Sequence, residues 1–264
     1  GEPTQQVFVL QAATGNVFTN ENLQGDPLLK LIPVLDLKDG RVVHARRGER
    51  SAYRPVETLL CQGSNPVDLC RGLLRLHPFT TIYVADLDSI ADTGTNEGAV
   101  AELHAAFPQV TFWVDAGLPA AAAQDWLHDH EGSLVLGSES QTGAQEVAAL
   151  VTGEPDRVIL SLDFRGDVFQ GPEELLSQAR LWPQRVIVMT LARVGVGAGP
   201  DYPRLTEIMD RAGDREVMAA GGVRGDVDLN RLRGMGATGV LLASALFDGR
   251  IGEDEITAFH ERRT

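Results

Sequence analysis

Lysine is almost missing from this chain: Lys30 and Lys38 are the only two, and every other basic residue is arginine. Schiff-base chemistry needs a lysine amine that reaches the substrate carbonyl. The apolar segments after the first contain none, and Lys38 falls beyond the end of the first, so a Schiff-base aldolase or synthase is excluded. Cysteine is equally scarce. Cys61 and Cys70 have the spacing of neither a zinc knuckle nor a redox CxxC, which leaves two reduced, half-buried thiols. No apolar run approaches the roughly eighteen residues of a membrane helix, and no basic region followed by an apolar stretch opens the sequence, so a cytoplasmic protein without a membrane partner is expected. A basic face is lacking too. At a net charge of −14, nucleic acid is not an expected partner, because neutralising phosphates requires a broad positive surface. The histidines, His128 and His130 among them, do not fall at metal-ligand spacing on one helix face and read as surface or interface residues; no metal is expected. The Gly221–Gly222 pair lacks the GxGxxG pattern, so no dinucleotide cofactor is implied.

What the chain does have is repetition. Short β-branched runs recur, each bounded by glycine or a polar turn: "LIPVLDL", "TIYVADLD", "TFWVDAG", "SLVLGSE", "RVILSLDF", "RVIVMTLA", "EVMAAGG" and "GVLLASAL". Continuous apolar strands of this kind suit a parallel sheet covered on both faces. Helical patterns follow at Pro66–Leu76, Glu97–Phe107, Ala120–His128, Gln145–Val151, Pro172–Leu181, Tyr202–Arg211, Asp226–Arg233 and Asp254–Arg262. Eight such alternations predict an α/β protein, a (β/α)8 TIM barrel, over residues 30–264. Residues 1–29 stand outside the pattern as an N-terminal extension, in which "VFVLQAATGNVF" suits either a small hairpin across one end of the barrel or a partly ordered tail.

The halves resemble each other. "VLDLKDGRV" matches "SLDFRGDVF", "WVDAGLP" matches "AAGGVRG", and "LVLGSES" matches "VLLASAL", the last two pairs at nearly the same offset. The barrel is therefore read as two duplicated half-barrels, with Asp36 and Asp163 as counterparts.

In such a barrel the loops that follow the strands converge at one end, and the chemistry sits there. Asp36 and Asp163 close the first and fifth strands and face each other across the mouth. Each could merely cap its turn. As a duplicated pair they can instead divide labour as general acid and general base. Arg41, Arg46, Arg47, Arg50 and Arg54 crowd the long connection after the first strand. That loop is either a solvated surface segment or a lid that brings a guanidinium, Arg47 for example, to an anionic substrate group.

"IPVLDLKDGRVV", "VADLD", "LSLDFRGD", "AAGGV" and "ALFDGRI" resemble the HisA/HisF group of half-barrel duplicates in histidine biosynthesis, nearly throughout Leu31–Ile251, and "RRGE" and "SNPVDL" lean toward HisA, the isomerase, over HisF, the cyclase. The resemblance implies an aldose-ketose isomerase that performs an Amadori rearrangement on a phosphorylated N-ribosyl compound without a cofactor. By the same resemblance Asp36 is the base, Asp163 the acid and Thr190 a hydrogen-bonding helper. It also implies two phosphate sites, one after strands seven and eight and one after their duplicates, strands three and four.

This chain departs from that pattern. Gly221, Gly222 and Ser244 remain available for one phosphate. At the duplicate site the expected glycine pair is Asp115-Ala116, and Glu139 follows Gly137. A carboxylate there repels phosphate, so the second phosphate is not expected to bind and the substrate is expected to differ from the histidine-pathway one. A cationic or hydrogen-bond-donating group is expected against Asp115, Glu139, Asp86 and Asp88. The bland alternative is that Glu139 points to solvent and Asp115 bonds to backbone N–H groups of the next loop. The departures also resemble a HisA-related branch of archaea and methylotrophic bacteria, which implies one-carbon cofactor (methanopterin or methanofuran) synthesis with different chemistry. A non-catalytic ligand-binding relative is the remaining alternative, and the oligomeric state is left open.

Overall fold

The computed structural model describes residues 29–44 and 53–261. Eight parallel strands run around a closed barrel: β1 (Lys30–Lys38), β2 (Thr81–Asp86), β3 (Thr111–Asp115), β4 (Ser133–Gly137), β5 (Val158–Arg165), β6 (Arg185–Thr190), β7 (Glu216–Ala220) and β8 (Gly239–Leu242). Each pairs with its neighbours in chain order, and β8 closes on β1 through Lys30–Pro33. Helices α1 (Pro66–Leu76), α2 (Glu97–Ala106), α3 (Ala120–Asp129), α4 (Ala144–Gly153), α5 (Glu173–Ser177), α6 (Tyr202–Ala212), α7 (Asp226–Gly234) and α8 (Glu253–Glu261) alternate with the strands. The expected fold is thus the observed one. Residues 1–28, with the expected hairpin, and the loop holding Arg46, Arg47 and Arg50 lie outside the described residues.

Strand alternation separates two cores. Leu31, Leu35 and Leu37 of β1 join the layer between sheet and helices, whereas Ile32 and Val34 join Tyr83, Trp113, Val135, Ile159, Ile187 and Met218 inside the barrel. One expected helix is broken: α5 ends at Ser177, Gln178 leaves the helical conformation, and a single 3-10 turn covers Ala179–Leu181. The break tucks Trp182 into the core, where its indole N–H donates to the Leu175 carbonyl.

The duplication is visible in the backbone. A short strand, Arg41–His44, folds back antiparallel on β1 with Val43 opposite Asp36, and Val168–Gln170 folds back on β5 with Gln170 opposite Asp163. The first hairpin is clamped from the segment that follows β2. Asp88 accepts from the Asp39 N–H at 2.7 Å, and buried Asn96 accepts from the Gly40 N–H at 2.8 Å while donating to Asp86 and Asp88. Asp86 and Asp88 therefore hold this turn and do not join the cavity carboxylates, contrary to expectation. Asp86 lies in register with Leu37, on the face of the sheet that turns away from the lumen. Asn96→Ala is expected to cost about 2–3 kcal/mol, because it strips donors from two buried carboxylates. Urea unfolding at neutral pH measures this, and a loss under about 0.5 kcal/mol would show that the clamp is dispensable.

Candidate active site

Asp36, Asp115 and Asp163 lie on the inward-facing rows near the C-terminal ends of β1, β3 and β5. They stand on a cavity of about 1100 Å³, its open mouth included, at the C-terminal ends of the strands. Asp36 is 9% exposed and Asp163 is 6% exposed, so both carboxylates are nearly out of water. Asp163 is well supplied with donors. Ser161 donates at 2.6 Å and the Glu139 N–H at 3.3 Å, with Ser138 Oγ 3.4 Å away. Ser138 also accepts from the Asp163 N–H and donates to the Gln170 carbonyl, tying β4 to the hairpin after β5. Asp36, by contrast, accepts no side-chain hydrogen bond among the described residues.

Asp115 has a partner on each oxygen: the Gly117 N–H at 3.0 Å and the hydroxyl of buried Tyr83 at 2.9 Å. The backbone half of the bland alternative is therefore what the structure shows, and the Tyr83 bond adds to it. Glu139 is exposed at the rim and still lines the cavity. Gly137 lies between the carboxylates rather than on the cavity wall. A side chain there would place Cβ 3.1 Å from Asp163 Oδ2 and 3.8 Å from Asp115 Oδ2, so glycine is what lets both carboxylates approach.

Crowding sets the protonation. Burial, then the charge of Asp115, raises Asp36 to about 7. Burial raises Asp163 to about 8, assisted by the charges of Asp115 and Glu139 and opposed by the bonds from Ser161 and the Glu139 N–H. Burial and Asp115 also push Tyr83 well above the ordinary phenol value, which keeps it a donor. The described surroundings thus favour the protonated carboxyls.

At the C-terminal half Gly221, Gly222, Ser244 and Arg250 line the same cavity. Gly222 has φ +84° and a Cβ there would meet the Gly199 carbonyl at 2.4 Å, so only glycine fits under the loop after β6. Ser244 is held by His44 at 2.8 Å.

Thr190, expected as a hydrogen-bonding helper, does not face the cavity. Its hydroxyl turns outward to Asp201, 3.4 Å away, and its inward neighbour Met189 lines the cavity instead. Sequence reasoning also passed over Tyr83, Arg250, Arg165 and the glycine loop after β6, where Gly195 and Gly197 line the cavity. The alternating glycines in "VGVGAG" were the signal for that loop. Among the described residues no three His, Cys, Asp or Glu side chains are placed to hold a metal ion, and no helix is long and apolar enough to cross a membrane.

A half-barrel duplicate with opposed carboxylates across one mouth is the class of protein that this fold and cavity define. The chain belongs to the family described as histidine biosynthesis protein, whose model matches residues 30–252. It is 26% identical over 230 residues to an uncharacterised protein of Methanocaldococcus jannaschii, covering 86% of this chain and 97% of the relative. It is 28% identical over 238 residues to an isomerase of Thermus thermophilus named for an imidazole-4-carboxamide with two phosphoribosyl groups, covering 84% and 96%. Phosphoribosyl isomerase A of Streptomyces griseus is 28% identical over 243 residues, covering 84% and 93%.

The raised carboxyls make stability pH-dependent. A carboxyl whose pKa is higher in the folded state stabilises the fold below its unfolded pKa near 4, and that contribution is lost as pH rises through the folded value. Between pH 5 and 8.5 the two carboxyls are expected to cost the fold about 1.4 kcal/mol per pH unit each until their folded values are passed, and Asp163→Asn to lose clearly less. Denaturant unfolding at the two pH values tests this; parallel pH profiles for the two proteins would refute the buried-proton account.

Proposed function

We propose that this protein is an aldose-ketose isomerase that carries out an Amadori rearrangement on a phosphorylated N-ribosyl compound, needing no cofactor. The observation that carries the reading is the pair Asp36 and Asp163, buried on opposite strands over one cavity, in a chain whose named relatives are isomerases. Asp163 rises further, to about 8, and holds a proton at neutral pH, whereas Asp36, at about 7, is the readier base. Asp163 gives its proton to the furanose ring oxygen as the bond from that oxygen to C1 breaks, and the glycosidic nitrogen lends its electron pair to form a C1–N double bond. Asp36 removes the proton from C2, giving an enaminol. Loss of the O2 proton and protonation at C1 complete the aminoketose, with no net gain or loss of protons or electrons.

The substrate's phosphate lies at Gly221, Gly222 and Ser244, with Arg250 the nearby cation in the cavity wall. Arg47, which falls in the loop after β1, is the further cation proposed for that end. At the opposite side, Asp115 and Glu139 repel a second anion by a few kcal/mol at short range. The substrate therefore differs from the doubly phosphoribosylated compound for which the Thermus relative is named.

Asp36→Asn and Asp163→Asn are each expected to lower turnover at least about a hundredfold with the fold intact, and the double variant to lose little more, since both serve one proton relay. Wild-type turnover is expected to peak between pH 7 and 8. Near-normal turnover in either single variant would overturn the acid–base pair. In a bacterium deprived of its histidine-pathway isomerase, growth without histidine is expected only under strong overexpression; full rescue at low expression would show that the ordinary substrate fits.

A further inference from the structure

The duplication offers an internal control, because each anion-binding position of one half has a counterpart in the other. By the matched segments, Val223 corresponds to Gly117 and Ala245 to Glu139. In the C-terminal half the backbone N–H groups of Gly222, Val223 and Ala245 donate to no acceptor among the described residues, beside the cavity that Arg250 also lines. In the N-terminal half two of the three corresponding donors are taken, the Ala116 N–H, counterpart of Gly222, being the exception among the described residues. The Gly117 N–H donates to Asp115 Oδ1 at 3.0 Å, and the Glu139 N–H donates to Asp163 Oδ2 at 3.3 Å.

Resting on the reading of this cavity as the substrate site, we infer that carboxylates of the chain itself fill the N-terminal anion cradle, and that the substrate carries one phosphate, at the C-terminal cradle, with a hydrogen-bond-donating end toward Asp115. Each internal carboxylate does for its N–H what a phosphate oxygen would do, and it cannot leave. The Tyr83 hydroxyl holds Asp115 from below at 2.9 Å, and Ser161 holds Asp163 at 2.6 Å. Gly137 leaves room for both. A second phosphate would have to displace a tethered carboxyl oxygen from its donor and then sit beside Asp115. A neutral or cationic donor meets acceptor oxygens there instead. Asp36 presents such oxygens, nearly buried on the cavity wall and with no hydrogen bond from the described residues.

The test compares ribose 5-phosphate with ribose 1,5-bisphosphate as binding probes, by calorimetry at low salt, where no turnover is needed. The wild-type protein is expected to bind one equivalent of either, with the second phosphate giving no gain or a loss in affinity. Asp115→Gly, which frees the Gly117 N–H and removes a charge, is expected to favour the bisphosphate at least tenfold over the monophosphate. Asp115→Asn keeps the shape, removes only the charge and is expected to give a smaller gain, a readout that survives if the glycine variant is unstable. A wild-type preference for the bisphosphate of tenfold or more would overturn the inference. So would an unchanged ratio in folded Asp115→Gly. Because these are binding ratios, a failed isomerase assay leaves the result legible, and an active isomerase with a wild-type bisphosphate preference would refute this inference alone.

Discussion

Taking carboxylates out of water is the constraint around which the mouth of this barrel is arranged. Ionised and unpaired, a buried carboxylate is too costly to keep, so it must gain donors or a proton. Asp163 gains donors and a proton, Asp115 gains Tyr83 and a backbone N–H, and Asp36 gains chiefly the proton. Small residues in the neighbouring strand ends follow from that need: Gly137 leaves space, and Ser138 and Ser161 supply hydroxyls. The same arrangement gives two carboxyls that exchange protons near neutrality, which is what an isomerisation without cofactor requires.

The barrel was legible in the sequence because buried parallel strands are continuous apolar runs and their spacing is regular. The same continuity hid which residues face inward. When both faces of a strand are apolar, nothing in the local pattern fixes the phase of the alternation, and an error of one residue reverses every side chain. Asp86 was placed beside Asp115 although it shares the outward row with Leu37, and Thr190, which the resemblance made a helper, faces outward where Met189 lines the cavity. Asp36 and Asp163 escaped this error because their duplicated surroundings set the phase for both.

Tyr83 was invisible for a related reason. Mid-strand in "TIYVADLD", it reads as one more bulky residue of the barrel core, and only the register with Trp113 and the bond to Asp115 distinguish it. Arg250 lay within a quoted segment, "ALFDGRI", yet its approach to the cavity depends on the turn that follows β8, where its guanidinium reaches the Arg224 carbonyl. Contacts of this kind depend on three dimensions and leave no periodic trace.

The short strand Arg41–His44 has a consequence for the chain during synthesis. Closing the barrel joins Lys30–Pro33 to Gly239–Leu242, so that flank of β1 has no partner until the last strand has been made. A long naked strand edge invites pairing with other chains. The hairpin covers the flank at Asp36–Lys38 from the outset, using residues made moments later, and leaves a short lower stretch open. The fold-back on β5 at Asp163–Arg165 instead lies on the flank shared with β4, whose strand is already made when β5 emerges. The segment that frames Asp36 thus also shortens the edge that the growing chain leaves open to its neighbours.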